Sequence, residues 1–137
     1  MLMLGVSRCS IDHTGIRSDD QEKKHLEDTA QQYWNYVRWG YMEQAVTFVE
    51  DEEDRAGYQV YLEDVSRTER FTNVTILQTS IVSPDNPSSP DEQGRWRTGS
   101  VRVRVESYTL PAQIVQLDET SQDWYRTSKG WFIDIDD

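Results

Sequence analysis

The chain has little of several things. In 137 residues there are one cysteine, two histidines, four prolines and seven glycines. A single cysteine cannot close an intrachain disulfide or build a thiolate metal site. No segment approaches the ~20 consecutive apolar residues that a spanning helix needs. Basic residues are scarce too: 14 Lys and Arg stand against 25 Asp and Glu, a net charge of −11. That balance argues against a nucleic-acid partner, because a phosphate backbone is held by clustered cations that displace its counterions. Only 36% of the residues are hydrophobic, a level at which burial has difficulty offsetting the entropy of ordering a chain.

Aromatic residues are what is present. Five Trp, seven Tyr and three Phe make 11% of the chain, and each large ring buries much apolar area. The expectation is one folded domain over residues 18–137 with a small, aromatic-rich core, preceded by a tether over residues 1–17.

Ser18-Asp19-Asp20-Gln21 has the form of a capping box, and Asp19, Asp20 and Glu22 place negative charge in a first helical turn, where the helix dipole favours it. Leu26, Ala30, Tyr33, Trp34, Val37 and Tyr41 then recur at spacings of three and four, one apolar stripe. Gly40 breaks this helix, and Met42, Ala45, Phe48 and Val49 continue in a shorter one. The run Glu50–Asp54 reads as the end of the helical part. Tyr58, Val60 and Leu62 alternate with polar neighbours and predict a strand. Further strands are expected over Phe71–Val82, around Val101, Val103 and Val105, over Gln113–Thr127 and around Trp131 and Ile133, with a proline-rich loop over Ser83–Gly94. Helices first and hairpin-linked strands after predict an α+β fold, with helices packed on one face of a curved antiparallel sheet.

Two resemblances follow. Met1–Val6, Ser7-Arg8 and Cys9 resemble the tail of a bacterial lipoprotein signal. The resemblance implies lipidation at Cys9 and a cell-envelope address, with a lipid anchor as the one membrane link; without lipidation the expected address is the cytoplasm. The helix Tyr33–Gly40, the strand Val101–Glu106 and the hairpin from Asp123-Trp124-Tyr125-Arg126 to Gly130-Trp131-Phe132-Ile133 together resemble the NTF2-like superfamily, which includes SnoaL-like and ketosteroid-isomerase-like proteins. This implies a cone with a pocket between the first helix and the sheet. The enzymes of that superfamily place a carboxylate or histidine base there. In this chain His13 and His25 both precede the strands, and Glu63 and Glu106 alternate with apolar neighbours, which puts them on the opposite face. No acid–base pair stands out, so neither catalysis nor a cofactor is expected.

The aromatics are the better evidence for a site. Tyr33, Trp34, Tyr58, Trp96, Trp124 and Trp131 are the candidate ligand-binding residues, and filling the space beneath a curved sheet is their alternative role. Arg95, Arg97, Arg102 and Arg104 bind an anion, dock on an acidic face of a partner or of a second copy, or pair with glutamates across a ladder. Glu50–Asp54 lacks the spacing of a calcium loop, so no metal is expected. The chain thus reads as a non-catalytic domain for a small apolar ligand or a protein partner. The alternatives are a SnoaL-like enzyme acting on a hydrophobic molecule, and a dimerisation module that pairs through its sheet face.

Overall fold

A computed structural model describes residues 18–82 and 90–135. The first helix, α1, runs from Asp19 to Trp39. Ser18 caps it, its Oγ accepting from the Gln21 N–H at 3.4 Å. The stripe turns inward as expected: Leu26, Ala30, Tyr33, Trp34 and Val37 are buried, and so is Glu22. Gly40 ends the helix in the left-handed region (φ 82°), a conformation glycine adopts without a Cβ penalty. Tyr41 lies beyond this break and is exposed, not part of the stripe. The short helix α2, Met42–Ala45, passes into a 3-10 turn over Val46–Phe48.

The acid run does not end the helical part. It begins a third helix, α3, Glu52–Thr68. The Asp51 carboxylate accepts from the Glu53 N–H at 3.0 Å, and Glu52, Glu53 and Asp54 fill the first turn, where the dipole favours anions. The strand expected at Tyr58–Leu62 is therefore helix. Three alternating residues are too few to separate period two from period 3.6. The helical residues that turn inward are Arg55, Tyr58, Gln59, Leu62, Val65 and Ser66, at helical spacing, while Val60 and Tyr61 face outward. Glu63, expected on a strand, is an exposed helical residue.

Four antiparallel strands follow in the order of the chain: β1 Glu69–Val82, β2 Arg97–Thr109, β3 Ile114–Thr127 and β4 Gly130–Ile133. The architecture is α+β, with helices packed on one face of a curved sheet. Val101, Val103 and Val105 point into the core. Arg102 and Arg104 point to the open face, where both reach Glu119 across the ladder. They are cross-strand pairs rather than an anion site. Register shifts occur in β1, between Phe71 and Asn73 and between Ile76 and Gln78, and none occurs at Gly99. Gly99 is constrained by the close approach of α1. A Cβ there would lie 2.5 Å from Leu26 Cδ2 and 3.1 Å from the Ser80 carbonyl, so only glycine lets α1 approach the sheet this closely.

Candidate functional site

Glu22 is fully buried at the start of α1. Its Oε1 accepts from Arg126 Nε at 2.8 Å and from Trp131 Nε1 at 2.9 Å. Its Oε2 lies 3.7 Å from Arg97 Nη1, an ion-pair distance without a hydrogen bond. Arg97 also reaches the Asp19 carboxylate at 3.0 Å. His25 Nδ1 lies 3.4 Å from Glu22 Oε1. A buried carboxylate is often a sign of chemistry. This one ties α1 to the β3–β4 hairpin through charge-assisted bonds. The sequence gives no warning of it, because an acid in a first helical turn has a sufficient reason in the dipole.

The aromatic candidates fill the space between α1 and the sheet. Tyr33, Trp34, Trp124 and Trp131 are all buried. Tyr33 packs edge-on against Trp34 at 5.4 Å, Phe48 at 5.9 Å and Trp124 at 6.0 Å between ring centroids, the geometry that the ring quadrupoles favour. Trp96 is half-buried just before β2, its backbone N–H donating to the Arg126 carbonyl. Cys9 lies outside the described residues.

Of the six ring candidates, Tyr58 lines the larger cleft, and Trp124 borders a smaller one of about 330 Å³ beside Gly99 and Asp123. The Tyr58 hydroxyl is 2.7 Å from that of Tyr33, so the pair links core to surface. The larger cleft, of about 700 Å³, lies between α3 and the strand ends where β3 meets β4. Tyr58 and Tyr61 supply one wall, their rings 5.8 Å apart. Ile133 and Ile135 supply apolar surface opposite, and Gln122 stands between, fixed by Trp34 Nε1 donating to its Oε1 at 2.9 Å. Glu53, Asp54, Asp123 and Asp134 add four carboxylates to the lining, and no Lys or Arg belongs to it. Arg95 approaches from outside, 3.5 Å from Asp134 and stacked 4.0 Å above the Tyr125 ring. A second cleft of about 560 Å³, at the end of α1, carries Trp39 and Tyr41 but mixes Arg38 and Arg70 with Glu43, Glu63 and Glu69. Of these two clefts, the first combines paired rings with charge of one sign.

Burial pushes the Tyr33 and Tyr58 hydroxyls above the ordinary tyrosine range, and burial followed by the Glu50 carboxylate does the same for Tyr125. A raised folded-state pKa means that the stabilising contribution is complete below the unfolded value of 10.0 and is lost as pH rises above it, because only the unfolded chain then ionises freely. Stability should therefore fall steeply above pH 10, and Tyr33→Phe should flatten that fall. Urea midpoints taken across this range check it; equal slopes for the two proteins would contradict the assignment.

Acids at the start of α3 and tyrosines three residues apart were both visible in the sequence, but reading that segment as a strand kept them from being placed on one wall. Comparison of the chain with protein-family models, with curated proteins and with solved structures returns no match.

Proposed function

We propose that this chain is a non-catalytic, NTF2-like binding domain. Its cleft between α3 and the β3–β4 end of the sheet takes a small ligand with an apolar body and a cationic head. One observation carries the reading: two tyrosine rings and two isoleucines share a cleft with four carboxylates and no lining cation. Rings attract cations through their faces, and carboxylates attract them over the Debye length. The isoleucines provide the apolar contact that a ligand body needs. The isomerase alternative needs a buried acid or histidine that is free to take a proton. Glu22 is the one acid among the fully buried described residues, and it is engaged by Arg126 and Trp131.

Titration calorimetry with an alkylammonium and an alkylcarboxylate of equal chain length tests the proposal. The ammonium should bind and the carboxylate should not. Replacing Glu53 by Gln and Asp54 by Asn together should weaken ammonium binding about tenfold, as expected for two partly solvated charge contacts. Equal binding of both probes, or of the ammonium by both proteins, would contradict the reading.

The proposal extends to an envelope address through a lipidated Cys9, supported by the resemblance of Met1–Cys9 to a lipoprotein signal. Protein from the native host should carry a lipid on that residue by intact mass. An unmodified, internal Cys9 would remove the anchor and leave the cleft untouched.

A further inference from the structure

Among the described residues, the outer edge of β3 is unpaired along most of its length. β4 covers only Trp124–Thr127, and one further bond, Asp134 N–H to the Asp123 carbonyl at 2.8 Å, extends the cover to Asp123. The inner edge is by contrast paired with β2 from Arg97↔Arg126 to Thr109↔Ile114 without a register shift. Ile114 to Ser121 are all exposed, and Ile114, Val115 and Leu117 expose 59%, 70% and 61% of their surface. An exposed edge of this kind is a template for another strand, and soluble proteins usually protect it. The other edge strand, β1, is interrupted by two register shifts, a known protection of edges. β3 has no such interruption.

The direction of the free backbone groups is fixed by the bonds at the covered end. Asp123 gives its carbonyl to the β4 side, while Arg126 gives its carbonyl to Trp96 on the β2 side. Strand geometry alternates these directions, so Val115, Leu117, Glu119 and Ser121 turn their N–H and C=O groups to the open edge. Only strands that bring such residues opposite one another can pair.

We propose that a second copy of this chain occupies the edge, β3 against β3, antiparallel, with the two-fold axis at Leu117. The strand's own charges select this register. Centring on Asp118 or on Glu119 places identical carboxylates directly opposite each other, which is destabilising. Centring on Leu117 pairs Leu117 with its counterpart, Val115 with Glu119, and Gln116 with Asp118, so no acid meets an acid. Three residues of each copy then exchange both backbone bonds. Moving the centre one residue toward Ile114 leaves two, because the strand ends there: Gln113 sits in the left-handed region with φ 57°. On the open face the seam joins Val115 and Leu117 of both copies into one apolar block. Glu119 at its border is already engaged by Arg102 and Arg104 of its own chain. The interface is isologous and closed, and the product is a continuous sheet through both copies.

Analytical ultracentrifugation of the intact protein over micromolar to several hundred micromolar concentrations tests the inference. The expected species has twice the 16.1 kDa of one chain. Leu117→Lys places two ammonium groups across the axis and should raise the dimer dissociation constant at least about a hundredfold. Leu77→Lys, an equivalent change on β1, should leave it unchanged. A monomer at every concentration, or a dimer indifferent to Leu117→Lys, overturns the proposal. If Leu117→Lys does not fold, Leu117→Cys in a Cys9→Ser background replaces it. A short bismaleimide should then join two chains at position 117 and fail to do so with Leu77→Cys; equal crosslinking of both also overturns it.

Discussion

Replacing Glu22 by alanine is expected to lower the unfolding free energy by about 3–5 kcal/mol, the range for removing one partner of a buried ion pair. The loss comes from what remains. Arg126, almost wholly buried, keeps its bond from Nη1 to the Thr127 carbonyl but loses the acceptor of its Nε. The Trp131 indole N–H loses its acceptor as well. Arg97, whose Nε and Nη1 already lack hydrogen-bond partners, loses its nearest buried anion. Glu22→Gln keeps an acceptor oxygen but not the charge, and should fall between alanine and the wild type. Glu22→Met combined with Arg126→Met should recover part of the loss, because no uncompensated charge is then buried at that pair. Urea denaturation followed by circular dichroism measures the series. A loss for Glu22→Ala no greater than that for the exposed first-turn acid Asp20 would show that the cluster does not hold α1 to the hairpin.

Trp124→Ala is expected to cost about 3–5 kcal/mol, the range for truncating a large ring in a packed core. Trp124 is 1% exposed and lies edge-on to Tyr33 at 6.0 Å and near Phe48 at 6.2 Å. Its indole nitrogen has no hydrogen-bond partner, so Trp124→Phe should cost distinctly less, losing volume but no bond. Trp34→Phe differs in kind. It frees Gln122, whose Oε1 accepts from the Trp34 indole, and should therefore disturb the cleft as well as the core. Denaturation midpoints give the stabilities. If Trp124→Ala abolished binding of an alkylammonium while leaving stability intact, the ring would be a ligand contact and the account of a filled core would fail.

These two residues mark what the sequence could and could not show. Tyr33 lies on a helical stripe whose period identifies it as inward, so its burial was legible, whereas Gln113–Thr127 carries no clean alternation and the inward turn of Trp124 was not. Whether they fill a space or line one depends on how closely α1 approaches the sheet. That distance is set by Gly99, against which Leu26 of α1 packs, a contact between residues far apart in the chain. The valines at 101, 103 and 105 announced their strand because five residues alternate without interruption. Tyr58, Val60 and Leu62 offered three alternating positions, and the stronger signal, an Asp51 cap with three acids behind it, was taken for a terminus. That one misplacement hid the cleft, since Glu53, Asp54, Tyr58 and Tyr61 form one wall only when wound into a helix. The open edge of β3 was hidden for a different reason. Ile114, Val115 and Leu117 look like core residues, and only the shortness of β4 leaves them uncovered.

The central claim is that the aromatic interior is packed core and that binding belongs to the cleft beside it. An amide and indole NMR titration with an alkylammonium tests this most directly. The account predicts saturable shifts at Tyr58, Tyr61, Gln122, Asp123 and Ile135, with the Trp124 and Trp131 indole signals unmoved. Saturable shifts centred on those two indoles, with the cleft residues silent, would contradict it.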